Sequence, residues 1–378
     1  MNYANNNNNL IMKRTIFLML AVLLSTLSAS AGRGNNRWDG IEYDADVSDY
    51  TARVAEDGYY VGSIIIPSRV GGLYTVVGIL NRAFFDCSRL TSISIPPTLR
   101  SIGPDAFKGC TGLTTVTFNA EHCYSPRESS GAWFIDSPLT TLIIGDKVRS
   151  IPNFIAYNQA GLKTLSIGNS VTEIGYEAFR GCKGLTSATL PNTVIKIGQG
   201  AFEGCAGLTS ISIPDCVSDI GVNAFKGCTG LTSISIPYCI TEISANVFEG
   251  CTGLTSISIP KLVTKIGEGA FKDCTGLTSV TIPNSVTNIS GKAFEGCTWL
   301  ARVFSYNPEP PVIAEDTFSS YDACLFVPKG CVSKYKEAEY WKNFKSIKET
   351  YVENIDINGD GMIDMVDVTS LINMILDQ

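Results

Sequence analysis

The chain has 378 residues, 44% of them hydrophobic, and a formal net charge of −7. Residues 351–378 hold six acidic and no basic side chains, so the rest of the chain is close to neutral. A neutral body has no basic stripe for phosphates, which excludes nucleic acid as an expected partner, whereas a local cluster of acids suggests a bound cation.

The N-terminus has the pattern of a secretory signal peptide. A Lys-Arg pair precedes an apolar run from Ile16 to Leu24, and small residues follow. This order predicts a signal peptide over residues 1–31, with Met12 as the natural start. The apolar run is about half the length that a bilayer crossing requires, and no second run of spanning length follows. We therefore expect a secreted or cell-surface protein without a membrane span in the mature chain.

The middle of the chain repeats itself at a fixed step. The phrase GCTGLTSISIP occurs at residues 227–237 and again, unchanged, at 250–260. A cysteine, preceded by a phenylalanine, recurs every 23 residues in two runs, and a fixed period in the twenties is typical of a solenoid. Two degenerate units fit between the runs and one more follows them, which makes eleven. The cysteines are Cys87, Cys110, Cys182, Cys205, Cys228, Cys251, Cys274 and Cys297, the degenerate units are built on Trp133-Phe134 and Ile155-Ala156, and Phe318 begins the last unit.

Each unit predicts one strand and a return path. Ile234 and Ile236 alternate with serines, which is the period of a strand with one buried face. Pro237 ends the strand because it cannot donate a further ladder bond. A single unit leaves two faces of its core open, so only stacked neighbours make the array stable. We therefore predict a β-rich solenoid with one parallel sheet, built from about eleven 23-residue units.

Charged side chains alternate in sign along the predicted stack. Positions one repeat apart are neighbours in a solenoid, where opposite charges stabilise the sheet and like charges destabilise it. One stripe alternates without exception, and a second alternates except at Asp219 and Glu242. The first stripe is Arg180, Glu203, Lys226, Glu249, Lys272 and Glu295, and the second is Glu173, Lys196, Asp219, Glu242 and Lys265.

Units of the form IPxxVxxIGxxAFxGCxxLTSI resemble the leucine-rich repeats of the BspA-like bacterial surface proteins, over residues 76–328. Residues 32–75 resemble the N-terminal β cap of that family, and residues 329–350 resemble its closing cap. The resemblance implies a leucine-rich-repeat solenoid closed at both ends. It also implies adhesion to host proteins, matrix or other cells, with a protein or a cell-surface glycan as ligand.

An insertion at residues 119–132 breaks the repeat rhythm. Long departures from regular structure are disproportionately functional. We therefore predict that Tyr124, Arg127 and the nearby Trp133 bind a partner.

Motifs for catalysis are nearly absent. Any Ser-His-Asp or Cys-His site must use His122, the only histidine, which lies beside Cys123 and is expected to be an exposed loop residue. The sequence has no P-loop, no GxGxxG after a strand and no HExxH. A glycosidase-type carboxylate pair is a weaker alternative, because acids beside Lys or Arg have a lowered pKa, whereas a general acid needs a raised pKa. We predict that the chain is not an enzyme.

The cysteines of the repeat are predicted to be buried free thiols, since all eight point into the core, where cysteine behaves as a small apolar residue. Cys324 and Cys331 bracket a turn and are the best candidates for a disulfide. Cys216 and Cys239, also 23 residues apart, are a second candidate pair. The spacing of the cysteines does not match a zinc site.

Residues 351–378 have the spacing of a calcium-binding loop. Oxygen-bearing side chains occupy loop positions 1, 3, 5, 9 and 12, with glycine at position 6 and a backbone carbonyl at position 7. A Ca²⁺ ion with six to eight oxygen ligands needs this arrangement, and an apolar helix face follows the loop. The predicted ligands are Asp356, Asn358, Asp360, Met362 through its carbonyl, Asp364 and Asp367.

The loop resembles a dockerin-type calcium repeat. Dockerins usually bind cohesins through two such repeats, whereas this chain has one. The positions that often help to select the cohesin are Met365 and Val366, which are apolar. The resemblance implies an alternative function as a scaffold or accessory subunit of an extracellular polysaccharide-degrading complex that binds a cohesin-like module. Docking of the apolar helix face onto another partner, or onto the closing cap of the same chain, is the other interpretation.

Overall fold

A computed structural model describes residues 36–128 and 131–350 of the chain. The repeat forms a parallel-sheet solenoid in which each residue pairs with the residue 23 positions on, as Lys196 does with Glu173 and Asp219. This confirms the predicted fold class. The eleven predicted units and one further turn at each end make about thirteen turns. The predicted signal peptide and the predicted calcium loop, including Met365 and Val366, lie outside the described residues.

The first strands differ from the repeat because three of their pairings are antiparallel. Strand β2 pairs with β1 and β3 in antiparallel register, β3 then pairs parallel with β6, and β5 folds back on β6. Strand β4 begins the regular stack by pairing parallel with β7. These six strands are β1 (Asn36–Trp38), β2 (Ile41–Asp46), β3 (Thr51–Val54), β4 (Gly62–Ile65), β5 (Arg69–Val70) and β6 (Tyr74–Ile79).

Two rows of parallel strands run along the rest of the solenoid. The long-strand row (β4, β7, β9, β10, β12, β14, β16, β19, β21, β23, β25 and β26) comes from the LTSI segments. The short-strand row (β6, β8, β11, β13, β15, β17, β18, β20, β22 and β24) comes from the isoleucine that precedes the repeat glycine. In chain order the strands after β6 are β7 (Leu90–Ile95), β8 (Ser101–Ile102), β9 (Thr115–Phe118), β10 (Thr141–Ile144), β11 (Ser150–Ile151), β12 (Thr164–Ile167), β13 (Glu173–Ile174), β14 (Ser187–Thr189), β15 (Lys196–Ile197), β16 (Ser210–Ser212), β17 (Asp219–Ile220), β18 (Glu242–Ile243), β19 (Ser256–Ser258), β20 (Lys265–Ile266), β21 (Ser279–Ile282), β22 (Asn288–Ile289), β23 (Arg302–Ser305), β24 (Val312–Ile313), β25 (Cys324–Val327) and β26 (Ser346–Glu349).

Two helices lie at the C-terminal end of the described chain. Helix α1 (Val332–Glu337) and a 3₁₀ helix (Trp341–Asn343) lie between β25 and β26. They bury Tyr335 and Trp341 against the last turns. No helix within the described ranges has the length and apolar character needed to cross a membrane.

The third side of the solenoid, made of turns, holds a ladder of phenylalanine rings. Ring centroids of successive turns lie 4.9 to 5.7 Å apart. Tyr60 extends the ladder at one end, 4.7 Å from Phe84, and Trp341 lies 5.9 Å from Phe318 at the other. Ala156 takes the ring position in one degenerate turn, so the ladder is interrupted there.

The repeat cysteines are buried free thiols, as predicted. Seven of the eight also donate S–H to a backbone carbonyl of the preceding turn, with sulfur–oxygen distances of 3.0 to 3.2 Å. In one degenerate turn Gln159 takes the cysteine position, and its Nε2 donates to the Phe134 carbonyl at 2.7 Å. In the other, Ser137 takes it, and its buried Oγ has no partner. The recurring cysteine is therefore a donor as well as a small apolar residue.

The suggested disulfides are not formed, because all thirteen cysteines are free. The thiol of Cys324 faces the neighbouring strand, 3.4 Å from Ser346 Oγ, while Cys331 is buried at the start of α1. Cys216 is exposed and donates back toward the preceding turn, to the carbonyls of Asn192 and Val194 at 2.9 and 3.1 Å.

The alternating charges form ion pairs between turns. Arg180 pairs with Glu203 at 3.1 Å, and Lys196 lies 3.6 Å from Glu173 and 3.8 Å from Asp219. The same first stripe continues with Lys226–Glu249 and Lys272–Glu295, each at 2.8 Å. The predicted charge ladders are therefore confirmed at five of the eight steps where the signs alternate.

Each strand row has one break of its own, between β12 and β14 in the long-strand row and between β8 and β11 in the short-strand row. Both rows are interrupted together at a further step, which we call the seam, between the turn of residues 209–221 and the turn of residues 232–244. The seam falls at the like-charged pair Asp219 and Glu242, whose strands β17 and β18 do not pair. On the other row, residues 233–236 form no strand, and their backbone groups have no backbone partner among the described residues. Backbone hydrogen bonds continue across the seam on the phenylalanine side, where Phe225 donates to Val247 at 3.0 Å.

Candidate functional site

The insertion at residues 119–132 lies where the short-strand row has a gap between β8 and β11. Tyr124 is 77% exposed on it, and Arg127 is exposed as well. Trp133 is instead 6% exposed, with its ring 6.0 Å from that of Phe118 in the core. Trp133 takes the place of the repeat alanine, which faces the core in every regular turn, so the prediction that it contacts a partner is corrected.

Hydrogen bonds join the insertion to the turns on either side of it, through its backbone on one side and through a serine side chain on the other. The amide of Tyr124 donates to the Arg100 carbonyl at 2.9 Å, and the amide of Asn153 donates to Ser125 Oγ at 3.1 Å. The exposed side chains of Tyr124 and Arg127 therefore project from a fixed segment.

His122 and Cys123 lack the arrangement of a Cys-His site. The His122 side chain is 75% exposed and lies 3.6 Å from Glu121, the carboxylate that also faces Arg149 at 4.0 Å. Burial raises the pKa of the Cys123 thiol to about 12, whereas a nucleophilic cysteine needs a lowered pKa. Within the part of the chain that the structure describes, no three His, Cys, Asp or Glu side chains are grouped as metal ligands.

A second unusual surface surrounds Trp299, which stands where the repeat has glycine. In six turns a Cβ at this position would come closer than 3.0 Å to a carbonyl oxygen of the preceding turn, as Gly230 shows with 2.7 Å to Ala206. Glycine thus permits the close stacking of the turns. Trp299 departs from this rule and is 71% exposed.

In the turn that follows Trp299, the segment between the phenylalanine and the long strand is two residues shorter than in the repeat. Eight positions separate Phe294 from Arg302, which pairs with Cys324, whereas only six separate Phe318 from Cys324. The Gly296 amide consequently donates to the Ser319 hydroxyl, where the equivalent Gly250 donates to a backbone carbonyl of the next turn. The shortened turn leaves part of the preceding turn uncovered.

A cavity of about 320 Å³ occupies the uncovered space. Phe294 and Phe318 lie at its apolar base, and Leu300 is partly exposed there, although the equivalent leucines of the regular turns are buried. The polar rim contains Ser320 and Asp322, with Ser320 Oγ donating to the carboxylate at 2.8 Å. Asp322 also pairs with Lys345, and this contact lowers the pKa of the Asp322 carboxyl, so it is ionised at neutral pH.

Sequence reasoning missed the Trp299 surface, although the signal was present. Aligning the repeats places a tryptophan where six turns need glycine, which marks a local departure from close stacking. The cavity itself depends on the shortened turn after Phe318, and the repeat spacing alone does not place that deletion.

The chain matches one family model, described as the BspA type leucine-rich repeat region, over residues 77–208 and 172–301, in six copies. Together these ranges cover more than half of the chain. None of the curated proteins compared with the chain is similar enough to count as a relative.

Several solved structures also match the chain. A leucine-rich cell surface protein from Faecalibacterium prausnitzii A2-165 is 25% identical, with 73% of this chain and 96% of that chain covered and a TM-score of 0.34. A leucine-rich repeat protein from Bacteroides ovatus is 21% identical, with 84% and 100% covered and a TM-score of 0.43. The pneumococcal vaccine antigen PcpA is 17% identical, with 84% and 98% covered and a TM-score of 0.41.

Proposed function

The chain belongs to the BspA-type leucine-rich-repeat family, and from that premise we propose that it is an exported, non-catalytic binding protein. It acts outside the cell, secreted or at the cell surface, and adheres to host proteins, matrix or other cells through a protein or glycan ligand. The observation that carries the proposal is the insertion: Tyr124 and Arg127 are exposed on a backbone segment fixed by both neighbouring turns.

The residue types and their surroundings support this assignment. Tyrosine and arginine are enriched among the side chains that dominate binding energy at interfaces. A fixed backbone also reduces the conformational entropy lost on binding.

The double variant Tyr124→Ala, Arg127→Ala tests the proposal. We expect binding of the mature chain to immobilised epithelial matrix and to whole cells to weaken roughly 30-fold, as for the loss of one interface hot spot. Tyr59→Ala is the matched control, because Tyr59 is 83% exposed outside the insertion. Unchanged binding by a double variant with a native melting curve would show that the insertion is not the recognition surface.

We further propose that residues 351–378 bind Ca²⁺ through the ligands predicted above. The spacing of the oxygen ligands and the glycine at loop position 6 support this site. Binding of Ca²⁺ at this site would support a second candidate function, that of a subunit of an extracellular complex. In that function the tail docks on a cohesin-like module near Met365 and Val366. Calorimetric titration with Ca²⁺ should give one binding event that Asp356→Ala and Asp360→Ala together abolish, and absence of that event in the wild-type chain refutes the site.

Capture of a cohesin module only when Ca²⁺ is present would support the docking function over adhesion, and equal capture in chelator would contradict it.

A further inference from the structure

We propose that the cavity beside Trp299 binds a neutral hexopyranose residue of a glycan. The Trp299 indole is the stacking face, and Ser320 and Asp322 are the hydrogen-bonding groups. The inference rests on the proposed binding function and names a ligand class within it. It concerns a different surface from the insertion, so the two proposals fail separately.

The position of Trp299 points to a ligand. Two of the other three tryptophans, Trp133 and Trp341, are 6% and 1% exposed and belong to the core, whereas Trp299 is 71% exposed. Its backbone position needs glycine in the regular turns, so a tryptophan there contributes nothing to close stacking. An exposed indole at the edge of a cavity presents a large, rigid apolar face with a single N–H donor, which suits a partner that is apolar on one side and polar at its edge.

A pyranose has this character. One face of the ring presents C–H groups that pack on an indole, and its edge carries hydroxyl groups that act as donors and acceptors. An ionised carboxylate accepts several hydrogen bonds, and a serine hydroxyl both donates and accepts. Asp322 and Ser320 lie on the rim of the cavity, where the ring edge of a stacked sugar would lie.

The charge at the rim favours a neutral ligand over a cationic peptide side chain. Lys345 already pairs with Asp322 and offsets its negative charge, so a second cation would gain little attraction and would meet the lysine. Sugar hydroxyls add hydrogen bonds to the carboxylate oxygens without adding charge.

The size of the cavity fits one ring of a glycan chain. Its volume of about 320 Å³ is at the lower end of the range for small-ligand sites. The apolar base formed by Phe294 and Phe318, whose rings stack at 5.2 Å, is rigid because both rings are part of the core ladder. A helix or an added strand would not fit in a space of this size.

Acrylamide quenching of tryptophan fluorescence tests the proposal in the full mature chain. Trp299 is the most exposed of the four tryptophans and should account for most of the quenching. Methyl β-D-galactopyranoside, methyl β-D-glucopyranoside and methyl α-D-mannopyranoside are the probes. We expect at least one to protect the fluorescence in a saturable manner, with a dissociation constant confirmed by calorimetry.

Two variants assign the binding to the cavity. Trp299→Gly restores the residue found in the regular turns, so it should fold normally and lose the saturable, calorimetric binding. Asp322→Asn keeps the shape and removes the charge, and it should weaken binding about tenfold, as expected for a hydrogen bond to a charged group. Trp299→Phe keeps an aromatic face and should retain measurable binding.

The possible outcomes separate this site from the insertion. Tyr124→Ala, Arg127→Ala should bind the protecting hexoside as the wild-type chain does, even when it no longer binds cells. If none of the three hexosides protects the wild-type chain, or if Trp299→Gly binds them equally well, the proposal is wrong. Protection by a tryptophan- or lysine-containing peptide in place of the hexosides would also overturn it and assign the cavity to a protein ligand.

Discussion

At the scale of single residues, the repeat cysteine has two physical roles that only one type of side chain meets. It fills a small apolar site, and its S–H group reaches the carbonyl of the ring-bearing residue one turn earlier, as Cys228 does with Phe202 at 3.2 Å. The two degenerate turns show the alternatives. Gln159 reaches its carbonyl, while the shorter Ser137 leaves a buried hydroxyl without a partner.

Replacing Cys228 should therefore cost more with serine than with alanine. Cys228→Ala loses a weak hydrogen bond and should lower the free energy of unfolding by about 1 kcal/mol, whereas Cys228→Ser buries an unsatisfied hydroxyl and should lower it by about 1–3 kcal/mol. Urea denaturation of the two variants measures the difference. Cys216→Ser is the control, because the Thr193 hydroxyl one turn earlier already donates from the equivalent position. Equal loss for both Cys228 variants would show that serine finds a partner there.

The buried thiols also predict how stability depends on pH. Burial raises the pKa of Cys110, Cys251 and Cys297 to about 12, against about 9 for an exposed thiol. Above pH 9 the unfolded chain releases protons that the folded chain keeps, so stability falls as the pH rises. The free energy of unfolding that the buried thiols contribute should be complete below pH 9 and should be lost progressively between pH 9 and 12.

Urea midpoints measured from pH 7 to 11 test this sign. Burial also raises the pKa of Tyr60 and Tyr335 to about 12, so tyrosines contribute in the same direction. Cys251→Ala removes one of the buried thiols. Its urea midpoint should therefore fall less steeply above pH 9 than that of the wild-type chain. A wild-type midpoint that stays constant from pH 9 to 11 is the contrary result.

At the scale of elements, the seam shows how one stripe of charge affects strand pairing. Strands β13, β15 and β17 pair where the signs alternate, and pairing stops where Asp219 would lie opposite Glu242. In the same turn Ser244 replaces the repeat glycine, and its hydroxyl donates to the Ile220 carbonyl. The serine alone does not open the row, because Ser290, at the equivalent position, keeps its amide bond to Ile266 at 2.9 Å. We therefore attribute the unpaired step of the short-strand row to the like charges of Asp219 and Glu242.

Glu242→Gln should strengthen the seam. Removing a like-charge contact between neighbouring strands should raise the free energy of unfolding by roughly 0.2–1 kcal/mol, and the gain should shrink at high salt because these charges are exposed. Chemical denaturation at low and high ionic strength measures it. Glu173→Gln is the matched control. It removes an ion pair of 3.6 Å with Lys196, so it should lower the free energy of unfolding. A loss of stability in Glu242→Gln would exclude charge repulsion as the cause of the seam.

At the scale of the whole molecule, the repeat period fixed the architecture, but local sequence did not fix every strand. The 23-residue step predicted the parallel register, the ring ladder and the buried cysteines, because stacking forces equivalent residues into contact. The phrase GCTGLTSISIP nevertheless contains a strand at residues 256–258 and none at residues 233–236. Identical local sequence with different pairing shows that the neighbouring turn decides. The Trp299 cavity could not be predicted for the same reason, since it depends on the turn beyond it.

The repeated phrase provides an internal comparison for hydrogen exchange. Both copies have the same residues, so their intrinsic exchange rates match, and any difference reports pairing alone. Amides of residues 233–236 have no backbone partner among the described residues, whereas residues 256–258 pair with β21. Turns of a solenoid are stabilised chiefly by their neighbours. The turn of residues 232–244 is unpaired along residues 233–236, and its short strand pairs on one side only, with β20. This turn should therefore open more readily than the rest.

We expect amides of residues 233–235 to exchange at least tenfold faster than those of residues 256–258, a difference of about 1.4 kcal/mol or more in opening free energy. Mass spectrometry resolves the copies when peptides extend past each proline, where Tyr238 distinguishes one and Lys261 the other. Glu242→Gln should narrow the difference if it allows the rows to pair across the seam. Equal protection of the two copies in the wild-type chain would mean that the rows are continuous, and that the solenoid unfolds without a weak step at this turn.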